Sequence, residues 1–146
     1  MISITDKNDR EALISRIKKL DENSAPLWGK MSVYQMLKHC SQWEELALGK
    51  RVYKQSFLGK LLGKFALKSM MKDEPVKRNL PTVPSFIITG DGSVTLEKEN
   101  LITLIEAHAQ CANNGFIHPF FGKLSLDEGF FIASKHLDHH LKQFGV

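Results

Sequence analysis

His136 and His140 stand four residues apart in the segment His136-Leu-Asp-His139-His140-Leu-Lys-Gln-Phe-Gly-Val146. On a helix, side chains at i and i+4 share one face, with Cβ atoms about 5–6 Å apart. Both imidazoles can then reach a single metal ion. His39, in the upstream helical pattern Met36-Leu-Lys-His39-Cys40, offers a third nitrogen from a facing helix. Three histidines leave a coordination position open, as zinc sites that do chemistry require. The competing account is helix-end chemistry, because histidines in a last turn also favour the dipole and the terminal carbonyls.

The remaining candidates are weaker. His139 projects about 100° away from His140 and is read as solvated or supporting. His108 falls within an apolar stripe, where a hydrogen-bonded core histidine is the simpler account than a ligand. His118 precedes Pro119 in an aromatic loop. Shaping that loop is its expected role, with substrate contact as the alternative. Cys40 reads as a small core residue. Asp138 points away from the histidine pair, and Glu44 is a candidate general base. Trp28 and Trp43 read as core anchors. No catalytic residue is assigned.

The elements that must position these groups are helical. Leu13, Ile14, Ile17 and Leu20 mark a helix over 6–20, capped by Asp6 or Asn8. A loop with Pro26 and Gly29 precedes Ser32, whose pairing with Gln35 is a capping box. Val33, Met36, Leu37, Cys40, Trp43 and Ala47 form the stripe of this second helix, with His39 on its shoulder. A third long helix is expected over about 95–113, stopped by Asn114-Gly115. Residues 116–124 read as a loop. Ser125 and Glu128 form a second capping box, opening a final helix that ends at Gly145.

Residues 50–78 carry nine Lys or Arg among Phe57, Leu58, Leu61, Leu62, Phe65, Met70 and Met71. The favoured reading is a connecting segment with its apolar side on the bundle and its lysines in water. A helix for a membrane surface or an acidic partner is the rival. Gly59 and Gly63 weaken an isolated helix here.

The pattern as a whole is an all-α, single-domain bundle over residues 1–146, with a long 49–94 connection that breaks simple up-and-down order. The net charge of +4 is too small to argue for nucleic acid. Two cysteines make no disulfide framework, no stretch approaches the roughly 20 apolar residues of a membrane span, and the amino terminus lacks an apolar signal core. A cytoplasmic location is the expectation.

Pro26-Leu-Trp-Gly-Lys-Met-Ser32, Gln35-Met-Leu-Lys-His39, His118-Pro-Phe-Phe-Gly122 and Lys135-His-Leu-Asp-His-His-Leu-Lys-Gln-Phe-Gly145 resemble the DinB/YfiT-like superfamily, and more closely one of its domain-of-unknown-function branches. The likeness runs from about residue 24 to the end and is weakest over 50–95. It implies a four-helix bundle with a long crossover and a divalent metal held by His39, His136 and His140, with Gln143 in a matching place. Better-known relatives are metal-dependent thiol transferases, including a mycothiol-dependent isomerase and bacillithiol transferases. Similar sequences tend to carry Trp where this chain has Gly129, which implies a locally altered, flexible pocket wall.

The expectation is a divalent-metal-dependent enzyme binding Zn, Ni or Fe and acting on a small-molecule substrate, with a low-molecular-weight thiol as nucleophile. A metal-dependent hydrolase fits the same histidines. The other class is a non-enzymatic, metal-stabilised binding module using segment 50–78. A homodimer is compatible with such a bundle, and no residue pattern demands one.

Overall fold

Two reciprocal caps start the helices that carry the histidines. The computed structural model describes residues 2–146. In it the Ser32 hydroxyl accepts from the Gln35 amide at 3.2 Å, while Gln35 Oε1 accepts from the Ser32 amide at 3.0 Å. Ser125 and Glu128 repeat the arrangement at 3.2 and 2.8 Å. Each box satisfies two backbone donors that a helix start would leave free.

The chain is mostly helical: α1 (Lys7–Lys18), α2 (Val33–Ala47), α3 (Phe57–Met70), α4 (Val94–Ala109) and α5 (Leu126–Gln143). Asp6, not Asn8, caps α1. α2 packs against α4 and α5, and α1 packs against the same two. Leu13, Ile17, Leu37, Leu101, Ile105 and Leu137 fill the space between them, each 1% exposed or less. None of the helices is long and apolar enough to cross a membrane among the described residues.

Several sequence expectations need correction. Residues 116–124 hold an antiparallel hairpin, β1 (Phe116–His118) and β2 (Gly122–Leu124), with Phe116 opposite Leu124 and His118 opposite Gly122. α4 stops at Ala109, short of the expected 113, and Asn113 lies beyond it in the link to the hairpin. Its side-chain Nδ2 donates to the Ala47 carbonyl at 2.7 Å, and its Oδ1 accepts from the Gly115 amide at 2.9 Å. Trp28 is not a core anchor. It is only partly buried, with the Arg78 guanidinium 4.1 Å above its ring and His139 5.7 Å away.

The largest correction concerns the connection. It contains α3 and a short 3-10 turn, Pro84–Phe86, and only part of the apolar set lies on the bundle: Leu67, Met70 and Met71 pack against the core, and the rest does not. Phe57, Leu58, Leu61, Leu62 and Phe65 are 51–83% exposed, while Gly59 and Gly63 are buried. The glycines let α3 approach the hairpin turn so closely that a methyl at Gly59 would sit 2.5 Å from the Phe120 carbonyl oxygen. At Gly63 the clash with the same oxygen is worse. Glycine here serves close backbone approach, which outweighs its low helix propensity.

Gly63→Ala separates these two effects. Propensity alone would add about 1 kcal/mol of stability. Overpacking against a backbone oxygen costs about 1–3 kcal/mol. The variant should melt a few degrees lower, with faster amide exchange in α3 than in α2. An unchanged or higher Tm would contradict the tight docking.

Candidate metal centre

α2 contributes His39 from its middle, and α5 contributes His136 and His140 from consecutive turns. The three rings meet where these helices pack together. His39 Nε2 lies 3.0 Å from His136 Nε2, and His140 Nε2 lies 3.1 Å from the same atom. All three ligand atoms fall within 4.8 Å of one another. A tetrahedral ion with metal–nitrogen bonds of about 2.0–2.1 Å separates its nitrogens by about 3.3–3.4 Å. The two spacings to His136 are close to that and the third lies within 4.8 Å, so a modest shift of the rings accommodates an ion.

The outer nitrogens fix two of the tautomers. A carbonyl can only accept, so His39 Nδ1 donates to the Phe86 oxygen at 3.2 Å and leaves Nε2 bare in the neutral ring. For His140 the orientation is relayed. The Gln143 amide nitrogen donates to the Trp28 carbonyl at 2.7 Å, so its oxygen faces His140 Nδ1 at 2.8 Å and accepts that N–H. His140 Nε2 is thereby a lone-pair donor toward the cluster. Such outer partners orient metal-ligating histidines and raise their basicity. Gly29, at φ +82°, makes room for the relay, since a Cβ there would lie 2.7 Å from the Gln143 nitrogen.

The surroundings keep the imidazoles neutral. Burial pushes His140 down to about 3, helped by nearby His39 and opposed by the Gln143 hydrogen bond. Burial likewise lowers His39, opposed by its bond to Phe86. His136 is held well below the usual range by burial first and then by the other imidazoles around it. Neutral rings are the form that metals bind.

His118 stands beside this set in a different role. Its Nδ1 accepts from the Phe120 and Phe121 amides, both at 3.1 Å, so the neutral ring carries its proton on Nε2. It shapes the hairpin turn, as its place before Pro119 suggested, and Trp43 and Phe86 pack on its ring at 5.2 and 5.4 Å. Trp43 is a core anchor as expected, 4% exposed and 5.6 Å from the His136 ring.

His108 is the buried, hydrogen-bonded histidine its position implied. Its Nδ1 meets Glu44 at 2.5 Å with both residues buried. That pairing removes Glu44 from service as a free general base. Asp138 points away as expected and pairs with Arg16 and Lys142. Cys40 is buried, and burial followed by the Glu44 charge pushes its thiol far up, so it is a core residue and no nucleophile. Gly129 does not loosen the wall: it is helical, and the Phe116 ring lies where its Cβ would be, 2.9 Å away. The residues that sequence reasoning missed are Phe86 and Trp28. Both act through main-chain carbonyls, which carry no side-chain signal, although Gly29 beside Trp28 was visible as a turn. Two surface clefts, of about 380 and 300 Å³, are lined by residues that include Tyr34 and Lys38 in one and Phe130 and Ser134 in the other. Neither takes in an imidazole of the cluster.

Comparison with known proteins adds one finding. A family model described as "Protein of unknown function (DUF1569)" matches residues 4–145. The chain belongs to that family. It matches no curated protein and no solved structure.

The neutral cluster has a consequence for pH. Each imidazole titrates near 6.5 when unfolded and lower when folded, so the unfolded chain binds more protons below that pH. The contribution to stability is full above about pH 6.5 and declines as pH falls, on the order of 1 kcal/mol per pH unit for each imidazole. Metal-free protein should therefore lose Tm between about pH 6.5 and 5, above the main carboxylate range. A flat profile across that window would contradict the buried neutral cluster.

Proposed function

We propose that this protein is a divalent-metal-dependent enzyme with a DinB/YfiT-type bundle, in which His39, His136 and His140 hold Zn²⁺, Ni²⁺ or Fe²⁺ for thiol transfer to a small electrophile. The observation that carries this reading is the convergence of three imidazole Nε2 atoms, two of them with their outer nitrogens already engaged. The packing of α1, α2, α4 and α5 around one core, with a long crossover holding α3, supports the bundle type.

A bound divalent ion supplies Lewis-acid chemistry at its open position, lowering the pKa of a thiol or water held there. The protein's share is positional. The Phe86 carbonyl and the Gln143 relay aim His39 and His140, so little reorganisation is needed to load the site. Trp43 and Phe86, both buried, set apolar rings 5.6 Å from His136 and 6.3 Å from His39. His118 offers an Nε2–H to a group bound alongside.

Ionising the nucleophile would fall to the ion, because no free acid belongs to the cluster. Among the described residues, the ligand group contains no carboxylate, and Glu44 is tied to His108. At such an ion a thiol, whose intrinsic value is about 8.5, would ionise, and water would come to about 7 as well, so the hydrolase reading uses the same histidines.

Metal analysis of tag-free protein tests the reading. About one divalent ion per chain is expected, with His136→Ala losing it while the helical circular dichroism stays intact. At free metal a hundred times above Kd, binding adds about 2.7 kcal/mol, worth several degrees in Tm. Protein without metal, whose Tm ignores added Zn²⁺, Ni²⁺ and Fe²⁺, would overturn it. So would loaded protein that fails to accelerate attack of any low-molecular-weight thiol on an alkylating electrophile.

A further inference from the structure

We infer that the outward face of α3 is a docking surface for anionic lipid, independent of the histidine cluster. The helix cannot roll to hide its apolar arc, because its inner face is committed. Gly59 and Gly63 lie against the Phe120 carbonyl, and the Gln55 amide donates to that same oxygen at 3.1 Å. At the amino-terminal end the Ser56 amide donates to the Pro119 carbonyl at 2.8 Å. At the carboxy-terminal end Lys135 Nζ donates to the Met70 and Lys72 carbonyls at 2.8 and 2.6 Å. Both ends are therefore tied to the body of the protein.

What remains outward is Phe57, Leu58, Leu61, Leu62 and Phe65, of which Phe57 is 79% and Phe65 83% exposed. At about 100° per residue these five occupy one arc of about 140°. Lys60, Lys64 and Lys68 form an i,i+4 row along one border of that arc, all exposed. Soluble surfaces seldom leave such a contiguous apolar strip uncovered without a partner. An apolar strip bordered by lysines fits the boundary between headgroups and acyl chains, where the rings enter and the ammonium groups reach phosphates.

Charge selects the occupant. Residues 50–72 hold seven Lys or Arg and no Asp or Glu. A second copy presenting the same face would bring the same unbalanced positive charge, and a neutral apolar groove would leave that charge unanswered. An anionic bilayer complements both the strip and the lysines. The helix caps the Pro119–Phe120 turn, so binding would set the hairpin that carries His118 close to the lipid.

The test is co-sedimentation of the whole chain with vesicles of phosphatidylcholine, with and without phosphatidylglycerol. Binding should require phosphatidylglycerol and fall steeply as salt rises from about 0.1 to about 1 M, where the screening length shrinks from about 10 to about 3 Å. Phe57→Ser/Leu61→Ser/Phe65→Ser should lower partitioning at least about tenfold, since three buried rings or branched chains are removed from the acyl boundary. Its Tm should hold within about 2 °C, because those side chains are exposed in the free protein. His136→Ala should bind vesicles like the wild type. Failure to sediment, equal binding to pure phosphatidylcholine, or undiminished binding by the triple variant would each overturn the assignment. So would a solution dimer that the triple variant breaks and vesicles leave intact, or an acidic protein bound through this face with no vesicle binding.

Discussion

Three buried imidazole nitrogens, two of them about 3 Å from the third, cannot share positive charge. Two unit charges at the 3.0 Å spacing of His39 and His136 would repel by about 5 kcal/mol even at an effective dielectric constant of 20. The site is therefore a place for lone pairs, and the rest of the protein is arranged around keeping them bare and aimed inward. Phe86 and Gln143 accept the outer N–H groups of His39 and His140. Trp28 sets the direction of Gln143, and Gly29 leaves room for it.

This constraint links distant parts of the chain. α2 and α5 bring the ligands, each started by a reciprocal Ser cap that fixes its first turn. The crossover supplies the Phe86 carbonyl, and the loop before α2 supplies that of Trp28. Hence the long connection, which looks like spacer in the sequence, contributes directly to the orientation of His39. A second buried pair, His108 with Glu44, ties α4 to α2 on its own terms and leaves the cluster free of carboxylates. The Phe116 ring occupies the space over Gly129, so the hairpin packs closely on the first turns of α5.

The parts legible in the sequence were those encoded in local spacing. His136 and His140 at i and i+4, the Ser32–Gln35 and Ser125–Glu128 boxes, and the stripe holding Trp43 and Cys40 all depend on helical periodicity, and all are present. Features set by tertiary approach were hidden. The apolar periodicity of α3 identified an amphipathic helix but not which side faces the protein. Two glycines decided that, because contact with the Phe120 carbonyl needs the absence of a Cβ. Trp28 was misplaced for a related reason: its bulk suggested the core, whereas its main-chain oxygen is the part the site uses. The short hairpin escaped because Phe116 and His118 point inward around a single exposed Ile117, too brief an alternation to register as a strand.

The most direct measurement is an anomalous difference map from crystals of tag-free protein, collected above the absorption edge of each candidate metal. The account predicts one strong peak within about 2.0–2.2 Å of Nε2 on His39, His136 and His140 together. A map in which the three rings turn apart, or in which the metal peak lies on other residues, would contradict it.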